Sequence, residues 1–156
     1  NNLKNQAEMY GIDKNRIFFA SILPQEEHLA RLKLADLFLD TFNYNAHTTC
    51  SDALWAGLPV VTKIGNQFSA RVSASLLNAI GLPELITESE EEYEILAENL
   101  AINKNKLKEI KGILLKNQSE FPLFNTELFT KHIEEAYTQA YQLFLEKKSP
   151  ATIYVK

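Results

Sequence analysis

A single cysteine, Cys50, excludes an internal disulfide and fits a reducing compartment, read here as the cytoplasm. No apolar run approaches the roughly 20 residues needed to cross a bilayer. No secretory signal pattern opens the chain, so no membrane partner is expected. Positive charge is in deficit: 16 Lys and Arg against 20 Asp and Glu leave a net charge of -4. That excludes a generally basic nucleic-acid footprint, although a local basic patch stays open. The glycine-rich GxGxxG and GxxxxGK(S/T) phosphate loops are missing. So is the G-x-S-x-G nucleophile elbow. No Asp-x-Asp pair is present to bridge a diphosphate through a metal, and His28, His47, His132 and Cys50 fall at no familiar zinc spacing. No metal and no tightly held cofactor are expected.

What is present suits one domain. The 156 residues are 46% hydrophobic, enough to bury a sizeable core. The first residue is Asn1 rather than Met, and the opening stretch is already amphipathic, which reads as a piece excised from a longer protein. Residues 1–10 predict a helix, with Leu3, Ala7 and Tyr10 at helical spacing. Arg16 to Ala20, centred on Ile17-Phe18-Phe19, predicts a buried strand. Pro24 to Lys33 predicts a helix whose first turn carries Glu26 and Glu27 and whose last carries Arg31 and Lys33, an order that suits the helix dipole. Leu37 to Asp40 predicts a strand, 41–47 a loop, and Thr49 to Ala56 a helix opened by a Thr49/Asp52 capping box. Gly57 and Pro59 lead to a strand at Val60-Val61-Thr62; a helix follows over 68–79, then a short strand at Leu85-Ile86. Short alternation of helices with nearly all-apolar strands is the pattern of an α/β fold: a Rossmann-like parallel sheet with helices on both faces.

From about residue 88 the pattern turns helical. Ser89 and Glu92 form a capping box for a helix to about Leu100. A second helix spans 104–117, Pro122 breaks the chain, and a long helix runs from Thr126 to Lys147. On that helix Phe129, Ile133, Tyr137, Ala140, Tyr141 and Phe144 form one apolar stripe. Residues 1–147 thus read as one lobe with a helical tail from about 88, and 148–156 as a C-terminal extension.

Two segments carry chemistry. Ala46 to Asp52 follows a strand and delivers His47, Thr48 and Thr49 to a helix start. In open α/β sheets, ligands bind outside the carboxyl ends of the strands. A helix N-terminus adds unpaired N–H groups and partial positive charge, which suit a phosphate. The two threonines and His47 add side-chain donors, and Asp52, one turn in, is an acceptor for a sugar hydroxyl. The residues alone leave a second reading open, in which threonine is an ordinary helix cap and His47 a plain loop residue. The other segment, Leu23 to Arg31, also follows a predicted strand and opens a helix. There the Leu23 backbone is placed to read a base edge and the His28 ring to stack on it. Taken singly, His28 is a surface histidine and Arg31 a dipole-matched charge; together with the first segment they fall on one sheet edge.

The chain resembles the C-terminal catalytic lobe of the O-GlcNAc transferase family, the tetratricopeptide-linked glycosyltransferases with a GT-B fold. The resemblance is carried by Arg16-Ile17-Phe18-Phe19, Pro24-Gln25-Glu26-Glu27-His28, Leu34-Ala35-Asp36 with Leu39-Asp40-Thr41, His47-Thr48-Thr49, Asp52 to Thr62, Ser69 to Ser75, Gly81 to Ile86 and Pro122 to Thr126. Their order and spacing cover the chain to about residue 144. The resemblance implies a UDP-sugar donor as co-substrate, usually UDP-GlcNAc, and transfer to a protein or peptide Ser or Thr with inversion, without a required metal. Residue by residue, it implies that His28 packs on the uracil, Leu23 contacts it through its backbone, and Arg31 lies in the nucleotide pocket. His47, Thr48 and Thr49 would hold the diphosphate and Asp52 the ribose. Gln25 stands where the family usually has lysine; it still reaches a ribose hydroxyl but brings no charge. The family pattern also implies an N-terminal lobe of the same chain, against which the last long helix packs; without it the apolar stripe is exposed and favours self-association. The alternatives are a GT-B enzyme with another UDP-sugar or acceptor, such as an N-glucosyltransferase, and a non-catalytic module for nucleotide binding or partner docking.

Overall fold

The computed structural model describes residues 2–155. Asn1 and Lys156, the outer ends of the expected first helix and of the C-terminal extension, lie outside the described residues. Among the described residues, seven α-helices and three short strands follow in the order α1 (Asn2–Met9), α2 (Gln25–Leu32), β1 (Phe38–Leu39), α3 (Thr48–Trp55), β2 (Val60–Lys63), α4 (Val72–Ala79), β3 (Ile86–Thr87), α5 (Glu90–Ile102), α6 (Lys104–Glu120) and α7 (Thr126–Leu145). The strands form a parallel sheet in the order β1-β2-β3, with Phe38 opposite Val60 and Thr62 opposite Ile86.

Each crossover moves one strand along in the same direction. The right-handed rule therefore lays α3 and α4 side by side on one face, and α5 covers β2 and β3 from the other. The core between them is aliphatic: Leu54, Leu58, Val60, Val61, Leu77, Ile80, Leu82 and Leu85 are buried, joined from the tail by Tyr93, Leu100 and Leu114.

Glycine punctuates the fold where a left-handed residue is required. Gly81 ends α4 at φ 73°, and a Cβ there would sit 2.3 Å from the Phe121 ring, so neither the backbone nor the space admits a side chain. α6 closes the lower edge of the sheet. Its Asn117 donates to the Ile80 carbonyl at 2.8 Å, and Gln118 donates to Leu54 and Trp55 at 2.6 and 2.9 Å. Two adjacent residues thus satisfy the last carbonyls of both α3 and α4. Ser89 caps α5 as expected, accepting from the Glu92 N–H; the Glu92 carboxylate reaches back to the Glu88 N–H, one residue beyond the usual box position.

The structure corrects the expectations in several places. Arg16 to Ala20 is not a buried strand. Lys14–Arg16 is a 3₁₀ turn, the chain then runs extended, and Phe18 is 86% exposed. A β-rich sequence becomes a strand only against a neighbour, and no strand among the described residues pairs with it. The expected helix 68–79 is split: Phe68–Ala70 is a 3₁₀ turn, and α4 starts after Arg71, whose φ of -125° breaks the helical run. α6 runs three residues past its expected end. α1 buries Ala7 but leaves Leu3 and Tyr10 exposed.

α7 buries none of its residues fully; Phe129, Tyr137, Tyr141 and Phe144 are exposed, so its stripe faces outward. The chain leaves α7 through Lys147 at φ 55°. The Lys147 and Lys148 N–H groups donate to Phe144 and Leu143, the double bond of a Schellman ending more often built on glycine.

Two outcomes follow from the core. The Cys50 thiol is fully buried, and burial pushes its pKa up to about 12, with the nearby Asp40 charge adding to the rise against a lowering hydrogen bond from Ser73. Thiolate is the reactive form, so Cys50 in the folded protein reacts with a disulfide reagent at pH 8 at least a hundredfold more slowly than in denaturant; equal rates would contradict the packing. Asp40 is also buried and holds three donors. Asp40→Ala strands the Thr62 hydroxyl in the core and lowers unfolding free energy by roughly 3–5 kcal/mol in urea titration.

Candidate functional site

β1 ends at Leu39, and the next residue, Asp40, turns its carboxylate back into the fold. One oxygen accepts from the backbone N–H of Thr41 at 2.8 Å and of Ala46 at 2.7 Å; the other accepts from the Thr62 hydroxyl at 2.7 Å. The Asp40 carbonyl in turn accepts from the Tyr93 hydroxyl at 3.0 Å. Burial and the neighbouring Asp40 charge push the Tyr93 phenol up to about 12, so it remains a donor throughout the physiological range.

The loop 41–47 is pinned at every stage. Thr41 accepts at its carbonyl from the Asn45 side chain, the Asn45 N–H donates to Ser69, and the Ala46 carbonyl accepts from Ser73 on α4 at 2.8 Å. Phe42 packs edge-on against Tyr93 and under the Lys63 ammonium, which also pairs with Glu90. The result is a short, rigid bridge from the end of β1 to the start of α3.

α3 starts one residue earlier than expected. His47 is its N-cap and makes no side-chain cap bond; Thr48 and Thr49 stand inside the first turn. The Thr49/Asp52 capping box therefore does not form. A cap must have non-helical backbone, and Thr49 is already helical. The His47 carbonyl accepts from Cys50 and Ser51, while the Thr48 and Thr49 N–H groups have no protein acceptor among the described residues. The His47 ring stacks on Tyr44 at 4.8 Å and meets Phe68 edge-on at 6.1 Å, so its plane is fixed.

His47, Thr48 and Thr49 line one pocket of about 440 Å³ with Asp40, Thr41 and Tyr44, at the carboxyl edge of the sheet. A larger pocket of about 620 Å³ begins at Phe68 and runs along α4. It holds none of the candidate ligand-binding residues named above, and the smaller one carries the donors that suit an anion. Leu23, Gln25, His28, Arg31 and Asp52 do not line the smaller pocket. Leu23 and Gln25 sit at the entry to α2, and α2 packs against α3. Arg31 bonds both His28 and the Ser21 carbonyl at 2.9 Å. Asp52 is half-buried one turn into α3. What the structure adds to the sequence-derived set is the supporting shell of Asp40, Asn45, Ser73 and Tyr93. A carboxylate directly after an apolar strand run, and a serine at the second position of an apolar helix, are the sequence signals that mark Asp40 and Ser73.

The comparisons with known proteins fit this geometry. Residues 1–133 match the model of Glycosyl transferase family 41. A probable UDP-N-acetylglucosamine–peptide N-acetylglucosaminyltransferase of Arabidopsis thaliana is 36% identical over 94% of this chain, and a UDP-N-acetylglucosamine–peptide N-acetylglucosaminyltransferase of Caenorhabditis elegans is 33% identical over 86%. The chain spans 15% and 12% of their lengths. A mutant Thermobaculum terrenum O-GlcNAc transferase superposes with a TM-score of 0.82 at 32% identity, over 88% of this chain and 26% of that one. A family match across most of the chain, relatives above 30% identity and a shared backbone agree: this chain belongs to glycosyltransferase family 41, alongside the O-GlcNAc transferases.

Proposed function

We propose that the chain is the UDP-sugar-binding part of an inverting glycosyltransferase that moves GlcNAc from UDP-GlcNAc to Ser or Thr of proteins. One observation carries the reading: an uncapped helix start with His47, Thr48 and Thr49 lines a pocket at the carboxyl edge of a parallel sheet. The names of the Arabidopsis and Caenorhabditis relatives suggest the donor and the peptide acceptor.

In the transfer, the bond between the sugar's anomeric carbon and the β-phosphate oxygen breaks. The acceptor hydroxyl attacks from the opposite face, and negative charge grows on the departing UDP. The Thr48 and Thr49 N–H groups, their hydroxyls and the His47 ring meet that charge, preorganised by the Asp40-held loop, and no metal is needed in this reading. His28 packs on the uracil, the Leu23 backbone reads its edge, and Asp52 and Gln25 take ribose hydroxyls. We assign the outward face of α7 to the N-terminal lobe of the same polypeptide, and the enzyme to the cytoplasm. One specific observation supports a second reading, a different UDP-hexose: Gln25 stands exposed and uncharged at the first position of α2.

The cradle is tested in the full-length enzyme with Thr48→Ala and Thr49→Ala combined. The expected loss of turnover is about 10²–10³-fold, measured with UDP-GlcNAc and with UDP-glucose as competitor. Wild-type turnover in a variant that still binds UDP removes the cradle, and preference for UDP-glucose selects the second reading.

The exposed face of α7 predicts that the 156-residue chain alone self-associates at micromolar concentration in sedimentation velocity, with Phe129→Glu and Tyr137→Glu together giving a monomer. A wild-type chain that sediments as a monomer contradicts it.

A further inference from the structure

The groove of about 620 Å³ along α4 starts at the loop that leaves the carboxyl end of β2. Its floor is apolar, formed by Ile64, Phe68 and Val72, and its polar groups are Arg71, Ser75 and Asn78. Spacings of four and three residues bring those three along one face of the helix. From 71 to 78 the helix rises about 10 Å, the length of roughly three extended residues. Arg71 is the only charged residue lining the groove. One of its nitrogens donates to the Gly65 carbonyl at 2.9 Å, and the side chain is otherwise exposed. The Asn78 amide nitrogen donates to the Ala74 carbonyl at 3.0 Å, which leaves its oxygen as an acceptor.

Phe68 is 81% exposed, yet its loop is tightly closed. The Gly65 N–H donates to Ala70 at 2.8 Å and the Ala70 N–H to Gln67 at 3.0 Å. A Cβ on Gly65 would sit 2.7 Å from the Ala70 Cβ. The ring is therefore held outward at a fixed place, edge-on to His47 at 6.1 Å. The groove thus opens directly beside the cradle. A large apolar ring fixed in water gains free energy when a partner covers it. A single cation does not suit a diphosphate. Donors at Arg71 and Ser75, an acceptor at Asn78 and an apolar floor suit a peptide main chain, which offers both N–H and C=O.

We propose that this groove seats an extended segment of the acceptor polypeptide, with an acidic side chain on Arg71 and the reactive hydroxyl brought past Phe68 to the mouth of the cradle. The inference rests on the protein-glycosyltransferase reading above and adds to it the place and charge preference of the acceptor. The groove takes no part in holding the nucleotide, so it acts on the acceptor alone.

The test uses the full-length enzyme and pairs of acceptor peptides that differ only in Glu against Gln, scanned along the positions flanking the acceptor serine. The wild type is expected to favour Glu at one position by about fivefold in kcat/KM, the scale of an exposed ion pair. Arg71→Gln is expected to erase that preference and Arg71→Lys to keep it. Ser75→Trp fills the groove and is expected to raise the peptide KM about tenfold, with the KM for UDP-GlcNAc at its wild-type value. A wild type without a charge preference, or a preference that survives in Arg71→Gln, overturns the proposal. So does an unchanged peptide KM in Ser75→Trp. A Ser75→Trp enzyme that melts earlier and shows both KM values raised makes the groove a seam with the N-terminal lobe, and the proposal falls. A wild type that hydrolyses UDP-GlcNAc but glycosylates none of the peptides removes the protein-acceptor reading itself and the groove's assignment with it, a failure distinct from that of a peptide transferase indifferent to these substitutions.

Discussion

The buried carboxylate of Asp40 is the constraint on which the site depends. A charge this far inside a protein is tolerated only when its lone pairs are filled. Asp40 fills them with two backbone N–H groups of the loop that follows and with a hydroxyl from the next strand. That requirement dictates the shape of the loop. Thr41 and Ala46 must both turn inward to the same oxygen, so the five residues from 41 to 45 close a tight circuit and α3 has to begin at 48. The Thr62 hydroxyl, otherwise an awkward group in the middle of an apolar strand, has its partner for the same reason. The Tyr93 bond to the Asp40 carbonyl brings in α5, so the far face of the sheet also supports the loop.

Capping divides the helices into two groups. α5, α6 and α7 are closed by their own sequence: Ser89, Asn103 and Asn125 each accept from an N–H in the first turn. α2, α3 and α4 have no side-chain cap; Pro24, His47 and Arg71 stand at the cap positions, and α3 and α4 follow β1 and β2 at the carboxyl edge of the sheet. A missing side-chain cap costs about 1 kcal/mol per helix. In α3 the cost coincides with fixed backbone donors facing a pocket. Local stability has been given up at the edge where α/β folds bind ligands and kept in the tail, where the helices serve packing.

Much of this was readable in the sequence. Apolar runs at 37–39 and 60–62, with glycines at 57 and 81, located β1, β2 and the ends of α3 and α4; in the central β2, burial on both sides leaves a nearly continuous apolar signature, while Leu39 of β1 is exposed. The failures have a common cause: each needed knowledge of a neighbour. Ile17-Phe18-Phe19 has strand propensity but no paired strand, and propensity without a ladder leaves extended, exposed chain. Thr49 resembles a cap, yet the Asp40 circuit had already set where helical backbone begins. His47, Thr48 and Thr49 could be singled out because they lie together in sequence. The residues that hold them, Asn45, Ser73 and Tyr93, come from three elements and meet only in the fold.

The helical tail is better understood as part of the lobe than as an appendage to it. From one end, Tyr93 and Glu90 engage Asp40 and Lys63 at the carboxyl edge. From the other, Lys111, Asn117 and Gln118 bond the Ala35, Ile80 and Leu54 carbonyls at the opposite edge. Leu100, Leu107, Ile110 and Leu114 fill the core between. A three-stranded sheet with strands of two to four residues buries too little surface to stand alone. Without α5 and α6 one face of β2 and β3 would be bare and the Asp40 loop would lose its outer support. The change in sequence character near residue 88 therefore marks a change from alternating to helical pattern within one cooperative unit, and a cut placed there would be expected to unfold the cradle rather than free it.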